Sequence, residues 1–344
     1  MAKTLRAAVL GASGYTGAET IRLLAGHDRV EVVAASANAL AGKRLADVFP
    51  HLAAADLPLV EADAVDWTGV DVAFGCLPHG ASQDIIEALP DTVRVIDLSA
   101  DYRLRDARLY EAAYGRHHIA PERTRTAVYG LTEHARGRLP DADVIACPGC
   151  YPTATLLALL PPVGAGLVDL EQLIVDAKSG VSGAGRGLKE GNLFSEAAEG
   201  LHPYGVGAHR HAPEIEQELA IAAGEGVAVT FTPHLVPMVR GELVTCYVHG
   251  ETNHIRAELE RAYEGERFVH VLTEGAPPPD TRHVRGTNHC RISVHRDRAP
   301  GRTIIVAVID NLVKGSGGQA IQNLNAAMGW DEGLGLAGLQ PLFP

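Results

Sequence analysis

No apolar run in this chain reaches the roughly 20 residues needed to cross a bilayer, which excludes an integral membrane protein built on helices. Basic runs are missing too. Lys and Arg number 30 against 42 Asp and Glu, a formal net charge of −12, and no cationic stretch is present to hold nucleic acid. Cysteine is scarce, five in 344 residues without an even framework, which fits a reducing cytoplasm rather than a disulfide scaffold. The pair Cys147 and Cys150 is the one Cys-x-x-C; with no second pair and no thioredoxin-like context, neither a zinc site nor a redox dithiol is expected. Met1-Ala2-Lys3-Thr4 leads straight into a strand pattern, so no signal peptide is expected. Internal repeats and low-complexity segments are absent.

What is present is enough chain for two domains. Arg6 to Leu10 reads as a strand. It runs into Gly11-Ala-Ser-Gly-Tyr-Thr-Gly17 and then a helical pattern through Ile21, Leu23 and Leu24. Strand, glycine turn and helix in that order form a dinucleotide-binding unit, in which backbone approaches a pyrophosphate at the helix N-terminus. A second strand, Val30 to Ala35, ends at Ser36, where an enzyme selecting NAD would carry a carboxylate. Ser36 followed by Lys43 and Arg44 favours NADP. Strands at Val70–Cys76 and Val93–Ser99, with a helix over Ser82–Leu89, continue a mostly parallel sheet to Pro148. Arg103, just past a strand's carboxyl end, is a candidate for a substrate anion, or else a loop ion pair.

At Asp143–Thr153 a buried strand turns into an apolar helix, with Pro152 in its first turn and Pro161-Pro162 expected to stop it. Cys150 stands at the helix start, where unpaired N–H groups and the helix dipole favour a thiolate. It is the candidate nucleophile, and Cys147 the buried neighbour. Beyond it, Leu173–Ala177 is a strand leading into a glycine-rich loop, Lys178 to Gly187, flexible enough to close over a ligand. His209 and His211 precede a helix begun by Pro213, a place where imidazole stays neutral. Five further strands, at 227–231, 243–248, 268–272, 290–294 and 304–309, are separated by one clear helix near 255–263. They describe an α+β second domain with an antiparallel or mixed sheet. A last helix covers Gln319–Met328.

Taken together, Gly11–Gly17, Pro148-Gly-Cys-Tyr-Pro-Thr153, Ser179-Gly-Val-Ser-Gly-Ala-Gly185, His209-Arg-His-Ala-Pro-Glu-Ile215 and Lys314-Gly-Ser-Gly-Gly-Gln-Ala-Ile-Gln-Asn323 resemble the N-acetyl-gamma-glutamyl-phosphate reductases of arginine biosynthesis. The architecture is similar, more distantly, to aspartate-semialdehyde dehydrogenase. The resemblance implies a Rossmann-like NADP-binding domain over 1–148, an α+β catalytic and oligomerisation domain over 149–309, and a segment, 310–344, that returns to the first. It implies reduction of an acyl phosphate by NADPH through a thioester on Cys150, in a homodimer or homotetramer. His209, or else His211, would move protons, and Glu214 would orient a histidine or favour its helix N-terminus. Cofactor contacts are expected from Gly11, Ser13, Gly14, Tyr15, Thr16, Gly17, Ser36, Lys43, Arg44, Leu77, Pro78, Ser179, Gly180, Ser182, Gly183 and Asn311. Arg103, and more weakly Arg240, would hold the substrate phosphate. Reduction of an aminoadipyl or aspartyl phosphate, and a non-catalytic NADP-binding sensor, are the alternatives.

Overall fold

The computed structural model describes residues 4–342. By internal contacts the chain falls into two compact units, Met1–Pro148 with Ser316–Gly338, and Gly149–Gly315 with Leu339–Pro344. The final segment therefore divides: residues 310–315 stay with the second unit, and the return to the first begins at Ser316.

The first unit is a seven-stranded sheet of β1 (Leu5–Leu10), β2 (Val30–Ser36), β3 (Leu59–Val60), β4 (Val72–Gly75), β5 (Arg94–Asp97), β6 (Val128–Tyr129) and β7 (Val144–Ala146), in the order β3-β2-β1-β4-β5-β7-β6. Every pairing is parallel. Ala7, Val9, Val72, Phe74, Val95 and Ile96 are all buried, the continuous apolar character of strands covered on both faces. The helix Tyr15–Leu24 packs on β1 and β2, and the helix Gly318–Ala327 on β5 and on Tyr15–Leu24. That last helix is polar in sequence yet wholly buried. Its amides find partners: Gln319 Nε2 donates to Thr132 Oγ1 (2.5 Å) and Asn323 Nδ2 to the Gly130 carbonyl (2.7 Å). The short strands β3 and β6 are too brief for any periodicity to announce them.

In the second unit, β8 (Leu173–Gly180), β9 (His202–Pro203), β10 (Val229–Val236), β11 (Glu242–His249), β12 (Val269–Val271), β13 (Cys290–Arg296) and β14 (Arg302–Ile309) form a mixed sheet in the order β12-β13-β14-β11-β8-β10-β9. β8, β10 and β11 alternate buried and half-exposed residues. Helices Cys150–Gly164, Ala212–Ala223 and Thr252–Ala262 pack on this sheet and on each other.

Pro161 and Pro162 do not stop the Cys150 helix, which continues to Gly164. Pro161 has no N–H for the Leu157 carbonyl four residues earlier. Tyr263 Oη donates to that carbonyl instead, at 2.7 Å, and so removes the cost of leaving it unpaired. No helix among the described residues is long and apolar enough to cross a membrane.

Candidate active site

Within the second unit, Cys150 is the first residue of the 15-residue helix Cys150–Gly164, and Gly149 is its N-cap with no side-chain cap. The first turn holds no acidic residue, so its N–H groups and the positive end of the helix dipole act on the half-buried thiol. Glu214 closes the turn from behind: the Gly149 N–H donates to its Oε1 at 2.9 Å. Glu214 thus braces the nucleophile's helix, a role its place in the His209-to-Ile215 motif did not reveal. Cys147 is fully buried in the first unit, its thiol pushed up to about 12 chiefly by burial.

The backbone around Cys150 is packed tightly. A Cβ placed on Gly315 would lie 2.8 Å from the Cys150 Cβ. The turn carrying Gly315 is built by Asp310, whose carboxylate accepts N–H bonds from Gly286 (2.6 Å) and Leu312 (2.8 Å) and faces Arg240 Nη1 at 3.6 Å. Gly315→Ala should therefore displace the thiol and cut kcat by about a hundredfold, the scale for misplacing a reacting group by an ångström. Steady-state kinetics alongside a melting curve checks this, since a purely structural defect would lower the melting temperature as well.

His209 sits among the rings of Tyr151, Tyr204, His211 and Phe231, at centroid distances of 4.8–5.9 Å. Tyr151, next to Cys150 in the chain, meets both imidazoles edge-on. Burial, and secondarily Arg210, pushes His209 down to about 4, so its resting form is neutral. The His211 N–H donates to His209 Nδ1 at 3.2 Å, so the neutral ring carries its proton on Nε2.

One residue of this unit was not singled out from the sequence. Glu242 opens β11 and is fully buried. It shares the core-facing alternation with Val244, Cys246 and Val248, the usable signal being a carboxylate in register with an apolar face.

The glycine loop after β8 is less free than its composition implies. Val181 N–H donates to the Met238 carbonyl and Ser182 N–H to the Val239 carbonyl. A Cβ on Gly180 would lie 2.7 Å from the Val239 carbonyl oxygen, and one on Gly183 2.8 Å from Ser179 Oγ. Asn311 is held in the same web: its Oδ1 accepts from the Gly241 N–H and its Nδ2 donates to Ser182 Oγ, each at 2.9 Å. Its carboxamide joins two loops of the second unit.

In the first unit the turn Gly11–Gly17 has the geometry expected of it. Gly11 has φ +77°, and a Cβ there would lie 2.3 Å from the Cys76 carbonyl oxygen. A Cβ on Gly17 would lie 2.4 Å from the Gly11 carbonyl oxygen, so neither glycine is replaceable. Gly14 caps the following helix, which has no side-chain cap and no acid in its first turn, leaving that end open to an anion. Ser13, Tyr15 and Thr16 are at least partly exposed beside it, as are Leu77 and Pro78 after β4. Ser36 is not: its buried hydroxyl accepts the Gly11 N–H at 3.3 Å and shapes the turn. Arg44 is ion-paired with Asp56, while Lys43 is exposed. Arg103 is buried, donating through Nε to the Cys147 carbonyl (2.7 Å) and through Nη2 to the Leu98 carbonyl (2.9 Å). It braces the ends of β5 and β7 through those two donors.

Comparison with known proteins accords with this division. Residues 6–142 match the family described as semialdehyde dehydrogenase, NAD binding domain, and residues 150–311 the semialdehyde dehydrogenase, dimerisation domain. An N-acetyl-gamma-glutamyl-phosphate reductase of Rhodospirillum rubrum is 52% identical over 354 residues, covering 100% of both chains. The chain belongs to the N-acetyl-gamma-glutamyl-phosphate reductases. A probable chloroplastic reductase of this name from Oryza sativa subsp. japonica is 52% identical over 345 residues, 99% of this chain and 83% of that one. Among solved structures, aspartate semialdehyde dehydrogenase II of Vibrio cholerae superposes with a TM-score of 0.70 at 18% identity, over 95% of this chain and 99% of that one. The aspartate semialdehyde dehydrogenase of Candida albicans, solved with NADP, gives 0.67 at 18% identity, over 95% and 99%. The reductase is thus an oxidoreductase of arginine biosynthesis with a nucleotide-binding domain and the fold of the semialdehyde dehydrogenases.

Proposed function

We propose that this reductase takes N-acetyl-gamma-glutamyl phosphate to N-acetyl-glutamate 5-semialdehyde and phosphate through a thioester on Cys150. The observation that carries the reading is a half-buried thiol at a helix N-terminus with no side-chain cap, its chain neighbour Tyr151 packed edge-on against a neutral histidine. Cys150 Sγ attacks the acyl carbon, and the carbon–oxygen bond to phosphate breaks with its electron pair on the leaving phosphate. The helix N-terminus stabilises negative charge on sulfur while the bond forms. His209, with its proton on Nε2, donates a hydrogen bond to the oxyanion that develops at the acyl carbon; His211 backs it and keeps its ring oriented through the bond to Nδ1. Arg240, in the same unit, is the better-placed cation for the substrate phosphate.

The cofactor fits the first unit, where the Gly11–Gly17 turn and the uncapped helix after Gly14 offer backbone N–H groups to a pyrophosphate. NADPH, when bound, supplies the hydride that reduces the thioester. The end of β2 itself carries no carboxylate, Ser36, Ala37 and Asn38 following in turn, and Lys43 is an exposed cation a few residues on. A phosphate contact from Lys43 is worth about 1.5–3 kcal/mol. Lys43→Ala should then lower the catalytic efficiency with NADPH by roughly tenfold or more and leave NADH use unchanged. Equal losses with both cofactors would remove Lys43 from the phosphate site. The second unit would pair with a second copy across its mixed sheet, whose outer face leaves Ile174, Thr230 and Arg302 exposed.

The deciding assay supplies N-acetyl-glutamate semialdehyde, phosphate and NADP and follows absorbance from NADPH. Aspartate semialdehyde and aminoadipate semialdehyde run in parallel, and a preference for either would overturn the substrate assignment. Cofactor binding without turnover on any of the three would favour the sensor.

A further inference from the structure

A second buried carboxyl beside the nucleophile, besides Glu214, has no place in the mechanism above. Glu242 is fully buried at the start of β11, hydrogen-bonded in register with Ser179 of β8 and Ile309 of β14, so its position in the sheet is rigid. Among the described residues, neither of its oxygens has a hydrogen-bond partner of full geometry, and one side chain alone acts on it as a donor. That one is the Cys150 thiol. A carboxylate sealed from water with a single weak donor is costly, and side chains in that position keep a proton unless a charge is needed. The cost has a use only if the proton moves.

We propose that Glu242 is a catalytic residue that takes the proton of Cys150 Sγ as the carbon–sulfur bond forms and returns it when that bond breaks. The inference rests on Cys150 being the nucleophile. In the first step the Sγ–H electron pair becomes the new carbon–sulfur bond, the proton passes to a Glu242 oxygen, and phosphate leaves with the electrons of the carbon–oxygen bond. After reduction, the oxyanion re-forms its carbonyl and the carbon–sulfur pair returns to sulfur. The Glu242 carboxylic acid then restores the thiol. The reacting form carries Glu242 as carboxylate and Cys150 as thiol, so the pair holds one proton throughout and the carboxylate ends as it began.

The surroundings suit that exchange. Burial pushes Glu242 up to about 8, with the thiol lowering it and Asp310 raising it, so it changes charge close to neutral pH. His209, held near 4, is poorly matched to accept the thiol proton and better used as a donor. Two phenols and a carboxylate also face this corner. Burial drives the Tyr151 and Tyr204 phenols far up, and Asp310 is bound to backbone N–H groups and Arg240.

Two coupled groups lose their protons in two macroscopic steps. The test is the rate of Cys150 alkylation by iodoacetamide, a neutral probe, in the resting enzyme between pH 5 and 10, a window set by the probe chemistry. Cys150→Ala identifies the labelled site. The wild type should show two inflections and Glu242→Gln one, and kcat/KM of Glu242→Gln should fall by about 10- to 100-fold, the low end for losing a general base. Glu242→Asp should recover part of the loss. A single inflection in the wild type overturns the proposal whether or not the variant folds. So does a Glu242→Gln enzyme with two inflections or with wild-type kcat/KM. Should Cys150→Ala retain turnover, the nucleophile itself is misassigned; if Cys150→Ala is dead while Glu242→Gln is wild type, only the role of Glu242 fails.

Discussion

Cys150→Ala should abolish turnover, leaving at most about 10⁻⁴ of the wild-type rate, the scale seen when a covalent nucleophile is removed and binding alone remains. NADPH binding should survive, because the Gly11–Gly17 turn belongs to the first unit and Cys150 to the second. The substitution is also benign for folding: alanine suits a first helical turn, and Gly315 tolerates a smaller neighbour at this tight contact. Cys147→Ala is the control. Its thiol is buried and held protonated near the ends of β5 and β7, so alanine there should cost stability through the lost volume but keep substantial activity. Single-turnover assays with fluorescence titration of NADPH separate the two cases. Equal loss of activity in both variants would point to a dithiol mechanism.

His209→Asn should lower kcat by about 10²- to 10⁴-fold, the range for losing a positioned acid, base or oxyanion donor. Asparagine keeps a donor but cannot reproduce the ring that packs against Tyr151, Tyr204 and Phe231. His211→Asn should cost less and act mainly through substrate affinity; the reverse ranking in kcat and KM would exchange the two roles. The acid limb supplies a second readout. His209 has its folded value near 4, below the ordinary 6.5, so between those values the unfolded chain binds more protons and acid destabilises the native state. The contribution is complete above pH 6.5 and is lost as pH falls toward 4. Denaturant melts of wild type and His209→Asn should therefore converge on acidification through that window.

Much of this arrangement was legible in one dimension because the residues involved serve local geometry. Gly11 and Gly17 are required by contacts with the Cys76 and Gly11 carbonyls, and a strand, a glycine turn and a helix announce that need in order. Cys150 was legible for the same reason: a strand that ends at Pro148-Gly149 and a helix that begins at once determine where the thiol stands. The alternation of Leu173 to Ala177 and Leu243 to Val248 displayed the second sheet. Arg103, Ser36 and Asn311 are of a type and place on the chain that suit a ligand, while in the fold their donors and acceptors have protein partners close in space. Backbone carbonyls took Arg103, the Gly11 N–H took Ser36, and Gly241 with Ser182 took Asn311.

The local order of residues thus determined the dinucleotide-binding turn, the helix that carries Cys150 and the placing of His209 and His211 ahead of Pro213. Only the tertiary structure decided what stands against them. The Glu214 carboxylate reaches Gly149 from 65 positions away, and Tyr263 rescues a carbonyl that Pro161 abandons 106 positions earlier. Glu242 meets Cys150 because β11 lies between β8 and β14 and the Cys150 helix packs on that strand. A carboxyl reads the same in sequence whether water or protein surrounds it. Its proton affinity, and hence its chemistry, is a property of the burial that folding alone creates.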